Sequence, residues 1–263
     1  MIQDRLAFAL DLAERAGALG LDYFRRLETL TVTAKGHQDL VSEADRDVET
    51  LVRDALADRF PQDGIVGEEH GRLAGSSGFT WVIDPIDGTA NFVAGIPQWC
   101  VVISCVHEGR TVIGITYDPL AREMFHAVRG GGAFVNGRPM RVSSSDSLGR
   151  GSVGVGFSGR TKACGAVQVI DALVDRGGVF FRNASGGLML AYTASGRLIA
   201  YCEAHMHAWD CLAGLLMIEE AGGFVPAFDA EAALTAGVRV IAGARGIEAD
   251  LTAICDASFP KVA

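Results

Sequence analysis

Apolar residues recur at helical spacing from the start of the chain. Leu6, Ala9, Leu10, Ala13 and Ala16 are interleaved with Asp4, Arg5, Asp11 and Glu14, which predicts a helix over residues 4–26. Leu30–Lys35 is β-prone and ends at Gly36. Ser42-Glu43-Ala44-Asp45 has the form of a capping box with Asp in place of Glu. Val48, Leu51, Val52, Ala55, Leu56 and Phe60 then keep one apolar face, so a second helix is expected over 43–60, ended by Pro61. From Gly64 the period changes to that of strands: Ile65-Val66, Trp81-Val82-Ile83, Val101–Val106, Thr111–Tyr117 and Met124–Val128. Turn signals at Glu108-Gly109 and Asp118-Pro119 point to an antiparallel meander, and the turn-rich pattern continues from Gly130 to Gly137.

Ser143–Ser147 is polar and marks the boundary between a portion 1–145 and a portion 146–263. Beyond it strands and helices alternate. Strands are expected at Ser152–Phe157, Val179–Arg182, Leu198–Glu203 and Val238–Gly243. Helices are expected at Lys162–Val174, Leu188–Ser195, Asp210–Ala221 and Ile247–Cys255. That alternation predicts an α/β half whose helices cover the sheet.

At 263 residues and 49% hydrophobic content the chain has ample core material, which excludes disorder as its main state. A formal net charge of −9 argues against nucleic acid as a partner, because a phosphate backbone is held by basic groups. No apolar stretch approaches the roughly 18 residues that a membrane span needs, and the N-terminus lacks the basic start of a signal peptide. The 6 cysteines are scattered, without a Cys-x-x-Cys pair, and read as small buried hydrophobes in a reducing compartment such as the cytoplasm.

The chemistry is concentrated in Trp81-Val82-Ile83-Asp84-Pro85-Ile86-Asp87-Gly88-Thr89. A buried strand ends in an acid, Asp84-Pro85 breaks it, Asp87-Gly88 turns the chain, and Thr89–Phe92 starts a short helix. Two carboxylates around a tight turn, with the Ile86 carbonyl between them, offer the all-oxygen cluster that Mg²⁺ prefers. The N–H groups of Gly88 and Thr89 are placed to meet a phosphate oxygen. Glu68-Glu69 follows a second short strand, and Asp210 opens a helix after His205-Met206-His207-Ala208-Trp209. Taken singly, these are an Asx turn, a solvated acidic pair and an N-cap. His205 and His207 lack a third ligand with zinc spacing, and Trp209 is expected to pack under the site with its N–H satisfied.

Gly67-Glu68-Glu69, Trp81–Phe92 and Trp209-Asp210 followed by Glu220-Ala221-Gly222-Gly223 together resemble the inositol monophosphatase family, Mg²⁺-dependent and lithium-sensitive phosphomonoesterases. The resemblance runs from about Lys35 to Gly223, with the motifs in the family's order. It implies a layered α-β-α-β-α sandwich of α/β (α+β) class, with the site between the two portions. It implies that Glu68, Asp84 and the Ile86 carbonyl hold a first Mg²⁺, that Asp84, Asp87 and Asp210 hold a second, and that Glu69 serves a third through water. It implies that Asp45 hydrogen-bonds Thr89, that Glu68 and Thr89 activate the attacking water, and that Lys35 lies near the site. Asp87, Gly88, Thr89, Ser185, Gly187, Glu203 and Asp210 would contact substrate, Glu203 by accepting a sugar or inositol hydroxyl. Homodimers are common in the family.

The segment Arg182–Gly187 departs from the family's usual Gly-Ser/Thr-Ala pattern, and Ala90 stands where threonine is common. Ala90-Asn91-Phe92 after Gly-Thr favours an inositol or similar polyol phosphate as the small-molecule substrate. Histidinol phosphate is the main rival, with sugar bisphosphates and nucleotide phosphates behind it. A regulatory member that works by binding another macromolecule is the alternative of a different class.

Overall fold

The computed structural model describes residues 2–29, 32–36, 39–158 and 163–259, and the side chains of 29–41 lie outside the description. In chain order α1 (Ile2–Phe24), β1 (Val32–Gly36), β2 (Asp39–Ser42) and α2 (Glu43–Arg59) come first. The main sheet is built from β3 (Gly64–Gly67), β4 (Gly71–Leu73), β5 (Phe79–Asp87), β6 (Cys100–His107), β7 (Arg110–Asp118), β8 (Glu123–Val128), β9 (Gly132–Val135) and β10 (Arg138–Pro139). A short helix α3 (Thr89–Val93) lies between β5 and β6. The remainder runs β11 (Ser152–Val155), α4 (Ala163–Asp175), β12 (Val179–Phe181), α5 (Gly186–Ala194), β13 (Ala200–Met206), α6 (Ala208–Glu220), α7 (Ala230–Ala236), β14 (Val238–Gly243) and α8 (Glu248–Ser258).

The 8-stranded sheet has the order β10-β9-β8-β7-β6-β5-β3-β4, and β5 to β9 form the expected antiparallel meander. The 4-stranded sheet has the order β12-β11-β13-β14. Strand alternation divides the core. Trp81, Ile83, Val101 and Ile103 pack with Leu12, Val48 and Val52 of α1 and α2 on one face of the large sheet. Val82 and Val102 point the other way, into a core shared with Leu190 of α5, Leu212 of α6 and Val240 of β14. The far face of the small sheet carries Val153 and Val155 against Leu173 of α4 and Leu251 of α8. The layers therefore run α-β-α-β-α, the expected sandwich. Each of these fully buried side chains contributes about 1.5–3 kcal/mol of burial free energy.

Residues 140–147 cross from one sheet to the other without regular structure, where the boundary was read. Yet α5 and α6 pack against the large sheet as well as the small one, so the two portions share the central core. At Gly114 of β7 an added Cβ would lie 2.6 Å from the Ala213 carbonyl oxygen, so this glycine sets how closely α6 seats on the sheet.

Several elements differ from the sequence reading. β5 does not stop at Asp84-Pro85: pairing runs Asp84 to Val102 and resumes Asp87 to Cys100, leaving an extra residue in β5. Pro85 sits in that bulge, where a ladder N–H is not needed. β13 continues to Met206, the β9–β10 hairpin and α7 were not anticipated, and Cys164 is exposed, unlike the five buried cysteines. All 6 are free thiols. Residues 30 and 31 of the first expected strand and Lys162 of the expected 162–174 helix lie outside the described residues, as does the Lys35 side chain.

Candidate active site

β5 delivers its acids by alternation. Asp84 shares the Val82 side of the strand, facing the central layer, and is 2% exposed. Its Oδ1 accepts the Ile86 N–H at 3.0 Å, which holds the bulge. Gly88 follows with φ 98°, a left-handed conformation in which a Cβ would stand 2.9 Å from the Gln98 carbonyl oxygen, so glycine is required there. Thr89 then opens α3. Its hydroxyl lies 3.2 Å from Asp45 Oδ1 and 3.1 Å from the Ile86 carbonyl oxygen, sharing one proton between two acceptors.

Helix α2 supplies the support. Ser42 donates to Asp45 Oδ2 from its N–H at 2.8 Å and its hydroxyl at 2.6 Å, which realises the capping motif read from the sequence and leaves Oδ1 for Thr89. One turn on, the fully buried Glu49 accepts the backbone N–H groups of Glu69 at 2.7 Å and His70 at 3.1 Å. Glu49 was missed in the sequence. The available signal was its place four residues after Asp45 on one helix face. The Glu68-Glu69 turn leaves β3, which pairs in parallel with β5 so that Gly67 faces Ile83. The register thus brings Glu68 alongside Asp84.

Asp210 arrives from α6. The helix begins two residues earlier than expected, so His207 is the N-cap and Asp210 stands at the third helical position, accepting the His207 N–H at 3.3 Å. Carboxylate oxygens of Asp84, Asp87 and Asp210 all lie within 4.8 Å of one another. His207 and Trp209 stack at 4.4 Å between centroids, but the Trp209 Nε1, expected to be satisfied, has no hydrogen-bond partner among the described residues.

Asp87 is held from the other half of the chain. The Ser185 hydroxyl and the Gly187 N–H, the latter at 2.7 Å, donate to Oδ2, the Cys100 thiol donates to the same oxygen at 3.5 Å, and the Gly186 N–H donates to Oδ1 at 3.2 Å. Ser185 and Gly187, read as substrate contacts, are thus buried behind Asp87 and do not line the cavity. Asn91 Nδ2 joins α3 to the same segment by donating to the Gln98 and Asn183 carbonyls, each at 2.7 Å.

The electrostatics of the cluster are those of buried acids crowded together. Burial pushes the Asp84 carboxyl well above its ordinary pKa, and the charges of Glu68, Asp87, Asp210 and Asp45 push it further. Burial also raises Asp87, against the pull of Ser185, Gly187, Cys100 and Gly186. Asp45 is raised by burial as well, with Glu69 adding to it.

A cavity of about 120 Å³ adjoins the cluster, walled by Asp87, Asp210, Glu203, Tyr201, Arg182 and Met206 among others. Glu203 is buried and accepts the Tyr201 hydroxyl at 2.6 Å. Tyr201 and Met206 were not singled out in the sequence: Tyr201 reads as an apolar strand residue, and Met206 lies beyond the expected end of that strand at Glu203. Asp87, Glu203 and Asp210 thus line one opening, Asp84 lies beside Asp87 and Asp210, Thr89 is tied to Asp45 next to them, and the Glu68-Glu69 turn stands at the edge of the Asp84 strand.

Fold and acidic cluster together define a layered α/β chain of the phosphatase type. The chain belongs to the inositol monophosphatase family, whose family model matches residues 1–258. It is 40% identical over 215 residues to Nus factor SuhB of Xylella fastidiosa, covering 81% of this chain and 78% of that protein. It is 35% identical over 226 residues to Nus factor SuhB of Escherichia coli strain K12, covering 85% of each. Among solved structures, the extragenic suppressor protein SuhB of Bartonella henselae superposes with a TM-score of 0.90 at 31% identity, covering 96% of this chain and 98% of that one. The Thermotoga maritima IMPase superposes with a TM-score of 0.86 at 28% identity, covering 97% and 98%. Among the described residues no helix is long and apolar enough to cross a membrane.

Proposed function

We propose that this chain is a Mg²⁺-dependent phosphomonoesterase acting on inositol monophosphate or a related polyol phosphate. The observation that carries the reading is the convergence of Asp84 and Asp87 of β5 with Asp210 of α6 within 4.8 Å, beside a polar cavity that Asp87 and Asp210 line. The donor set fits a hard divalent ion: it is all oxygen, and burial together with the neighbouring acids raises the Asp84 pKa, an effect that a bound cation would offset. Glu68, Asp84 and the Ile86 carbonyl would hold one ion and Asp84, Asp87 and Asp210 a second, with Glu69 serving a third through water. Bound there, Mg²⁺ supplies charge neutralisation for the phosphate and leaving alkoxide and lowers the pKa of water.

The chain's own groups do the rest in this reading. Thr89, fixed by Asp45 at 3.2 Å, orients the attacking water, and the Glu68 carboxylate takes its proton. The Gly88 and Thr89 N–H groups hold a phosphate oxygen. Ser185, Gly186 and Gly187 fix Asp87, and Glu203, which accepts the Tyr201 hydroxyl, also accepts a substrate hydroxyl. No cysteine or serine nucleophile takes part. A cytoplasmic setting suits the six free thiols, and we include a homodimer in the proposal.

The test is phosphate release with Mg²⁺ on inositol 1-phosphate and histidinol phosphate, each repeated with EDTA. A preference above about tenfold, or 1.4 kcal/mol of transition-state discrimination, assigns the substrate branch. Turnover on neither supports a second reading, binding of a macromolecular partner, which the name Nus factor SuhB of several relatives favours.

A further inference from the structure

Helix α2 presents Asp45, Glu49 and Arg53 at four-residue intervals, one above another on a single face. Asp45 reaches Thr89 after the β5 turn. Glu49 is fully buried and spends both carboxylate oxygens on the other acid-bearing turn, accepting Glu69 N–H on Oε2 at 2.7 Å and His70 N–H on Oε1 at 3.1 Å. Arg53 completes the row, with Nη1 3.2 Å from Glu49 Oε1 and 2.9 Å from the Gly71 carbonyl oxygen. The His70 ring adds a second tether, with Nε2 3.2 Å from Thr50 Oγ1 and 3.3 Å from the Arg46 carbonyl oxygen. Gly67 lies flat on the Glu49 carboxylate: a Cβ there would come 2.0 Å from Oε1.

We propose that Glu49 is a positioning residue that sets the Glu68-Glu69 turn against Asp84, so that one helix face holds both acid-bearing turns in register. The inference rests on the metal-site reading above. Glu49 touches neither ion nor substrate. It fixes two consecutive N–H groups, and with them the direction in which Glu68 and Glu69 leave β3. A buried carboxylate with one arginine and two amide donors is rigid, which a turn carrying ligands requires.

The test is Mg²⁺ titration by isothermal calorimetry on the full chain as wild type, Glu49→Ala, Glu49→Gln and Gly67→Ala, with the melting temperature of each metal-free protein. Glu49→Ala is expected to weaken Mg²⁺ binding by about tenfold or more. Glu49→Gln, which keeps one acceptor oxygen, loses less. Gly67→Ala also weakens binding, because its methyl displaces the carboxylate, and adding it to Glu49→Ala costs less than the two separate losses combined. If Glu49→Ala does not fold, the Gln and Gly67→Ala variants carry the comparison. Variants that fold and bind Mg²⁺ indistinguishably from the wild type overturn the assignment. A wild-type chain that takes up no Mg²⁺ overturns the underlying site reading with it, and that failure shows before any substitution is made.

Discussion

The Ser185 hydroxyl donates to Asp87 Oδ2 across 98 residues of sequence, joining the N-terminus of α5 to the end of β5. With the Gly186 and Gly187 N–H groups it turns the start of a helix toward a buried carboxylate, which is where a negative charge is favoured. Ser185→Ala removes one of these donors. Mg²⁺ affinity should fall by about tenfold while the fold persists on the remaining donors. Calorimetric titration checks this, and unchanged affinity in a folded variant contradicts it.

Asp84 makes the metal-free protein pay in stability at neutral pH. Its folded pKa lies above its unfolded value of about 3.9, so its contribution favours folding at low pH and is lost as pH rises through the folded pKa. Asp84→Asn removes the buried charge and keeps an acceptor for the Ile86 N–H. The variant should melt higher than wild type without metal at pH 7, gain little from added Mg²⁺, and lose phosphatase activity. Thermal melts with and without Mg²⁺ test all but the last, and a lower metal-free melting temperature counts against the account.

Asp63 behaves in the opposite sense. Burial raises its pKa, but hydrogen bonds from Arg5, Ser77 and Trp81 outweigh this and hold it below the usual range. Its stabilisation is present above pH of about 4 and is lost as pH falls through the depressed folded value. Arg5→Met leaves a buried carboxylate with half its hydrogen bonds and should cost about 3 kcal/mol at pH 7. The same variant should lose less stability than wild type between neutral pH and acid, because its Asp63 no longer has a depressed pKa. Urea denaturation at several pH values measures both effects.

Gly114→Ala probes the link between packing and site. The added methyl meets the Ala213 backbone and lifts α6 from β7. A loss of about 1–3 kcal/mol is expected from overpacking. Because α6 carries Asp210, Mg²⁺ affinity should fall as well. A variant destabilised by this amount with unaltered Mg²⁺ binding would show that the seat of α6 does not set Asp210.

Much of this was legible in the sequence, for a physical reason. Trp81-Val82-Ile83 followed by two acids, a proline and Gly88 compresses strand, bulge and left-handed turn into eight residues whose backbone needs are explicit. The capping motif at Ser42–Asp45 was equally local. What escaped notice depends on contacts between distant segments. Glu49 reads as an ordinary helical acid until β3 is laid against β5. Ser185 reads as a pocket residue until α5 is seen to point at Asp87. Pro85 reads as a strand end, because only the β6 partner reveals that pairing resumes at Asp87. His207 displaced Asp210 as N-cap because the helix starts two residues earlier than its apolar pattern suggests.

The proposed function turns on Asp84, Asp87 and Asp210 forming a divalent-ion site for phosphate-monoester hydrolysis. The most direct measurement is phosphate release from inositol 1-phosphate by wild type and Asp210→Asn, each with Mg²⁺ and with EDTA. Asp210→Asn keeps an acceptor for the His207 N–H, so the start of α6 should survive. Wild type is expected to turn over with Mg²⁺ but not with EDTA, and the variant to lose at least about a hundredfold, near 2.7 kcal/mol. Turnover that survives EDTA, or an Asp210→Asn protein as active as wild type, would contradict the proposed function.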